Sequence, residues 1–220
     1  MAEPAVAVPV RPVGRIVAEA VPFDDYLGNY AEHFHEWVRG YVIEMSPVAL
    51  RHERIVAYLR MLLNAWLARK TVPGRTPIGV LVGMPFVMRT DVAPSGRLPD
   101  LQLVLETNPG DLTETVMLGP ADLCVEVVSP ESVTRDYREK LAEYEEAGVR
   151  EYWLIDPFRT QARFHRLNDD GAYVLHEPDE HGDYTTPLLP GLVLTVPVLW
   201  QTPLPDFFAI ARTVEAMDIT

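Results

Sequence analysis

Two acids and a lysine are the residues here whose types and spacing could do chemistry. Asp100 follows Pro99 at the start of a short apolar stretch. Glu126 lies inside the most apolar run of the chain, Ala121-Asp122-Leu123-Cys124-Val125-Glu126-Val127-Val128. Burying a carboxylate among such neighbours is costly unless something compensates. A divalent cation is one compensator, because hard cations take carboxylate oxygens. A pairing arginine, or a place at a strand edge, is another. If the run is a strand, Cys124, Glu126 and Val128 share one face and Leu123, Val125 and Val127 the other. Two adjacent strands can then aim Asp100 and Glu126 at one point.

Lys140 is the third member. The 19 basic residues comprise 17 Arg and only two Lys, Lys70 and Lys140. In so arginine-rich a chain, a lysine hints that a compact ammonium is wanted rather than a planar guanidinium. Beside a metal, such a group can orient an attacking water or stabilise charge developing on a phosphate. The plain alternative is a solvated helix lysine paired with Asp136 or Glu143. His52 falls in line with Ile55, Val56 and Leu59. That makes it a core or capping histidine, or a metal or water contact if its helix end meets the same sheet rim. Glu44 and Glu36 are further acids for which a structural role is the simpler reading. Pro205-Asp206 repeats the Pro-Asp pair, but no acid-bearing core strand follows it, so it is set aside. There is no nucleophile elbow, phosphate-binding glycine loop or dinucleotide fingerprint, and the histidines lack zinc spacing.

The elements that must position these groups follow from pattern. Ser46-Pro47 suits an N-cap and first helical position, and Ile55, Leu59, Leu62, Leu63 and Trp66 then recur at helical spacing to about Lys70, with Val72-Pro73-Gly74 as the stop. Tyr41-Val42-Ile43-Glu44, Leu101 to Leu105, Ala121 to Val128 and Tyr152 to Ile155 read as strands, and Ile78 to Met88 as a strand or bent hairpin arm. Asp91 to Arg97 reads as a turn and Thr107 to Gly119 as a polar loop. A helix from Thr134 to Ala147, stopped by Gly148, joins two core strands into a βαβ-like unit. A hairpin is expected around Asn168-Asp169-Asp170-Gly171, and strand-like, Pro-rich chain from Pro190 to Phe208.

Composition sets outer bounds. At 220 residues with 48% hydrophobic and 23% charged residues, the chain suits one globular domain over residues 16–220 after a flexible tail over 1–15. No apolar run is long enough for a transmembrane helix and no signal-peptide pattern opens the chain, so a cytoplasmic location is expected. Cys124, the single cysteine, reads as a buried inert thiol. A net charge of −13 argues against coating nucleic acid non-specifically, which is driven by cations neutralising phosphates. An enzyme with a local basic groove remains compatible with it.

Taken in order, several segments resemble the Uma-type restriction endonuclease family, a bacterial group of the PD-(D/E)xK nuclease superfamily. They are Glu44-Met45-Ser46-Pro47, His52, Pro99-Asp100, the run from Pro120 to Pro130, then Asp136, Lys140, Tyr144 and Gly148 to Pro157. The resemblance implies an α/β (α+β) fold with a mixed central β-sheet flanked by helices and additional β-hairpins. It implies Mg²⁺ (or Mn²⁺) held by Asp100 and Glu126, and phosphodiester hydrolysis by a metal-activated water. The superfamily places a lysine two residues after the second acid, where this chain has Val128, and Lys140 would reach back instead. His52 and Glu44 would sit beside the ligands. DNA is then the expected substrate, with Arg89, Arg97, Arg135 and Arg138 as contacts, each of which could equally be a solvated surface cation. A homodimer would cut both strands, with the apolar segment from Leu188 as a possible interface. The competing readings are a catalytically silent nuclease-fold binding or assembly module, and a phosphodiesterase acting on RNA or a small substrate.

Overall fold

A computed structural model describes residues 11–71 and 78–218. Its first half comprises β1 (Arg15–Ala18), α1 (Phe23–Asn29), β2 (His35–Val38), β3 (Tyr41–Glu44), α2 (Leu50–Lys70), β4 (Gly79–Gly83), β5 (Val87–Thr90), β6 (Ser95–Arg97) and β7 (Leu101–Leu105). Then come β8 (Asp111–Leu112), β9 (Val116–Leu118) and β10 (Leu123–Val127), and a π-helical turn (Arg135–Lys140) that runs into α3 (Leu141–Ala147). The chain closes with β11 (Glu151–Asp156), β12 (Gln161–Leu167), β13 (Tyr173–His176), β14 (Asp183–Thr185), β15 (Val193–Thr195) and α4 (Phe207–Ala216).

The apolar run around Glu126 becomes the buried strand β10, at the middle of a six-stranded sheet ordered β13-β12-β11-β10-β7-β4. Strands β10 and β11 are parallel, joined by the helical crossover, and the other neighbours are antiparallel. Strand parity sorts the two faces as expected. Leu123, Val125 and Val127 pack with Ile55, Leu59, Leu63 and Trp66 of α2 and with Ile210 and Val214 of α4. Cys124 and Val128 pack on the other face with Tyr144, Val149, Tyr152 and Leu154. Each such side chain contributes about 1.5–3 kcal/mol on burial, so the strand that carries Glu126 is held from both sides. A second sheet, β1-β3-β2-β6-β5-β9-β8, supports the site from its own core of Tyr26, Trp37, Val42 and Val87.

Several expectations are corrected by these contacts. Helix α2 starts at Leu50 with Ala49 as its N-cap, not at Ser46-Pro47, because residues 46–48 are drawn out as a wall of the cavity described below. Its expected stop, Val72-Pro73-Gly74, lies outside the described residues. The stretch from Ile78 to Met88 divides between the sheets, β4 pairing with β7 and β5 with β6. The expected turn at Asp91–Arg97 and loop at Thr107–Gly119 contain β6, β8 and β9. Helix α1 and strand β2 precede the expected β3. Residues 1–10 of the expected tail lie outside the described residues, but Val13 N–H donates to Glu139 Oε1 at 2.8 Å and Arg15 already begins β1. The leucines of the segment from Leu188 are not available to an interface: Leu189, Leu192, Leu194 and Leu199 are buried in the chain's own core, while Phe207 and Phe208 further on are exposed. No helix among the described residues is long and apolar enough to cross a membrane.

The second Pro-Asp pair has a local role. Asp206 caps α4, its side chain accepting from Ala209 N–H at 2.8 Å. Asp206→Ala is therefore expected to cost about 1 kcal/mol in urea unfolding, with no change in any activity.

Candidate active site

Strands β7 and β10 run antiparallel with Leu101 opposite Val125. Continued by one residue, that register sets Asp100 against Glu126. Asp100 is buried at the head of β7, where Val127 N–H donates to its Oδ2 at 2.7 Å and His52 Nε2 lies 3.0 Å from the same oxygen. The N-terminal turn of α2 therefore reaches the sheet end through His52. Burial alone would lower the His52 pKa, but the hydrogen bond to Asp100 and its charge outweigh this and raise it.

Glu126 faces the other direction of approach. Its Oε1 accepts from Lys140 Nζ at 2.7 Å and from Tyr144 OH at 2.9 Å. Lys140 is buried, as are Arg135 and Asp136. All three lie on the π-helical turn, and Lys140 falls in one buried stripe with Asp136, Glu143 and Tyr144. The solvated-lysine alternative is thereby removed. Lys140 Nζ also lies 3.0 Å from Glu36, which Arg97 holds at 2.7 Å, and Arg97 in turn makes a two-pronged contact with Glu143 at 2.7 and 2.8 Å.

The ionic balance is uneven. Glu36 has Lys140, Arg97 and Arg135 around it, and although burial would raise its pKa these cations hold it far below the carboxylate range. Lys140, despite burial, stays charged beside Glu126, Glu36 and Asp136. Glu126 fares differently: burial pushes it up to about 8, Lys140 opposes this, and Asp100, Asp136 and Glu36 add to the rise. Lys140 thus answers both Glu126 and Glu36, but Glu36 has two arginines besides, whereas Glu126 is buried among other acids. Burial also raises Asp136, whose Oδ1 has no hydrogen-bond partner.

Asp100, Glu126, Lys140, His52 and Glu44 all line one cavity of ≈ 670 Å³. Glu44 sits at its half-exposed edge, paired with Arg15. Of the four arginines, only Arg135 lines this cavity, buried beside Glu36 and Asp136 at 3.9 and 4.0 Å. Arg97 has no exposed surface and is a structural cation, which corrects its assignment as a DNA contact. Arg89 stacks on Phe23 and Trp37 and pairs with Asp91 at 2.8 Å, outside the cavity lining. Arg138 is exposed, also outside it. Residues that the sequence reading passed over are Tyr144, Ser132 and Asp136 as members of the site. Asp136 accepts from Ser132, and both line the cavity. The i+4 spacing of Tyr144 from Lys140 was the available signal. Cys124 is buried as expected, its thiol pushed well up by burial.

The family model described as Uma2, Putative restriction endonuclease, matches residues 22–197. The chain belongs to that family. The match takes in every element that builds the cavity, from α1 to β15, and leaves out α4. A crystal structure of a putative nuclease belonging to DUF820 from Anabaena variabilis ATCC 29413 superposes with a TM-score of 0.65 at 18% identity, covering 82% of this chain and 97% of that one. It has the same mixed α+β fold. No curated protein matches the chain.

Proposed function

We propose that this Uma2-family chain is a Mg²⁺-dependent endonuclease that hydrolyses DNA phosphodiester bonds, with Asp100 and Glu126 as metal ligands and Lys140 as the cation facing the phosphate. The observation that carries this is the meeting of all three side chains in one cavity from three separate segments. The donor set suits a hard ion. Each carboxylate spends one oxygen on protein partners, Oδ2 of Asp100 and Oε1 of Glu126, and the second oxygen of each has no hydrogen bond among the described residues. Nearby, Asp136 Oδ1 and His52 Nδ1 are buried without partners. No cluster of three or more His, Cys, Asp or Glu suited to an ion occurs among the described residues. Mg²⁺ does not need one, because it keeps several of its waters and takes one or two carboxylates. A positive ion here also offsets the burial, and the neighbouring acids, that drive Glu126 toward neutrality.

When bound, the ion supplies Lewis acidity and lowers the pKa of a coordinated water. The protein's own groups do the rest. His52 and Val127 N–H fix the Asp100 carboxylate, and Tyr144 and Lys140 fix that of Glu126. Lys140 has three N–H donors, two of them committed to Glu126 and Glu36. It remains available to charge that develops on phosphate oxygens in an environment poor in water. Cutting both strands of a duplex calls for two such centres, hence a homodimer.

Supercoiled plasmid incubated with Mg²⁺ should be nicked, and EDTA should stop the reaction. Salt-dependent DNA binding with no cleavage of DNA, RNA or a small phosphodiester under Mg²⁺ or Mn²⁺ would instead favour a silent binding module. Cleavage confined to RNA or a small diester would keep the chemistry and replace the substrate.

A further inference from the structure

We infer that Arg60 is the substrate-phosphate clamp of this cavity, binding a phosphate that flanks the one being hydrolysed. The inference rests on the nuclease reading above and adds a residue to it. Three observations converge on Arg60. It lines the same cavity as Asp100, Glu126 and Lys140. It is exposed, and among the described residues it has no hydrogen bond or ion pair. Its guanidinium lies against the backbone where β4 meets β7: a Cβ added to Gly83 would stand 2.2 Å from Arg60 Nη2 and 2.8 Å from the carbonyl oxygen of Asp100.

The contrast with the other cations of the cavity decides the role. Lys140 and Arg135 are buried and face Glu36, Glu126 and Asp136, while His52 is turned to Asp100. Their charge is answered from within. The chain carries 32 acids against 19 basic residues, yet among the described residues no carboxylate pairs with Arg60. An arginine left uncommitted at an acid-rich cavity has its planar fork of N–H donors free for an anion from outside, and phosphate oxygens match that fork.

Placement along α2 suits a flanking phosphate. His52, Val56 and Arg60 recur every four residues on the face that lines the cavity. Arg60 therefore starts about 12 Å along the helix from His52, and helical side chains lean back toward the N-terminus, that is, toward the acids. The bare Cα of Gly83 leaves the guanidinium room to lie flat on the strand end. The free-standing charge then serves attraction and alignment of an anionic strand that the acids of the cavity would otherwise repel.

The test pairs binding with kinetics for wild type, Arg60→Met and Arg60→Lys. Anisotropy of a fluorescein-labelled 20-base-pair duplex, with Ca²⁺ in place of Mg²⁺, gives Kd as a function of salt. Plasmid or oligonucleotide cleavage with Mg²⁺ gives KM and kcat. Arg60→Met should raise Kd and KM about tenfold or more with kcat changed much less. Its log Kd against log salt should lose about one phosphate's worth of slope, and Arg60→Lys should recover that slope in part. The melting temperature should stay close to the wild-type value, since among the described residues Arg60 makes no hydrogen bond or ion pair. A wild-type enzyme that cleaves, with an Arg60→Met variant equal to it in Kd, KM and salt slope, overturns the clamp and leaves the nuclease reading standing. A wild-type protein that neither binds nor cuts any nucleic acid overturns both.

Discussion

Asp100→Asn is expected to slow Mg²⁺-dependent cleavage by at least about 10³-fold, several kcal/mol of barrier, while leaving the fold in place. Asparagine keeps the shape and still accepts from Val127 N–H, so the junction of β7 and β10 survives. What is lost is the charge of one of the two carboxylates proposed to hold the ion. Glu126→Gln should cost a similar factor, because its partners Lys140 and Tyr144 remain but the anionic oxygen does not. His52→Ala acts only through Asp100 and should cost a smaller factor, roughly 10- to 100-fold. Nicking assays on the three variants, with Mn²⁺ titrated calorimetrically into each, read both the chemistry and the ion. Wild-type cleavage rates in Asp100→Asn and Glu126→Gln together would rule out the proposed centre. Loss of cleavage with unchanged Mn²⁺ binding would rule out these two acids as its ligands.

Arg97→Ala is expected to be the most damaging single change to stability, by about 3–5 kcal/mol. Arg97 has no exposed surface and answers two buried acids, Glu36 at 2.7 Å and Glu143 at 2.7 and 2.8 Å. Removing it strands both, and the cost is that of uncompensated buried charge rather than of the pair's own attraction. For a domain of this size the melting temperature should fall by roughly 10 °C or more. Arg97→Lys should recover little, because one ammonium cannot reproduce the fork that meets Glu143. Urea denaturation followed by tryptophan fluorescence checks this. A loss below 1 kcal/mol would mean that the two acids find other partners or take up protons. The same substitution should also loosen Lys140, whose counter-ion Glu36 is held in place by Arg97.

What could be read in the sequence was whatever local pattern alone determines. β10 and β11 were legible because a strand covered on both faces must be apolar throughout, and α2 because its inward residues repeat at helical spacing. Gly148 ends α3 in the left-handed conformation foreseen for it, and the hairpin of β12 and β13 forms around Asn168-Gly171. Asp100 and Glu126 stood out because a carboxylate in such company needs a reason. The misreadings lie where distant chain overrides local preference. Arg97 looks like any surface arginine until Glu36 and Glu143 arrive from two other elements. The C-terminal leucines look like an open interface until they are seen filling the chain's own core. Lys140 looks like a border lysine until Glu126 and Glu36 arrive from two strands to pair with it. The i, i+4, i+8 series from His52 through Val56 to Arg60 was visible in the letters, but nothing in them said which face of α2 met a cavity.

The antiparallel pairing of β7 with β10 also dictates when the proposed centre can form. Asp100 stands at the head of one strand and Glu126 near the tail of the other, with the lysine that meets Glu126 further along at position 140. During synthesis a ribosome therefore exposes the first acid long before the second, and the second before its lysine. A growing or prematurely ended chain that stops short of the crossover helix carries the acids without their assembly. Only a chain that has closed the β7–β10 ladder and laid the helix over it brings the three groups together. The proposed centre is thus absent until the ladder and the crossover helix are both in place.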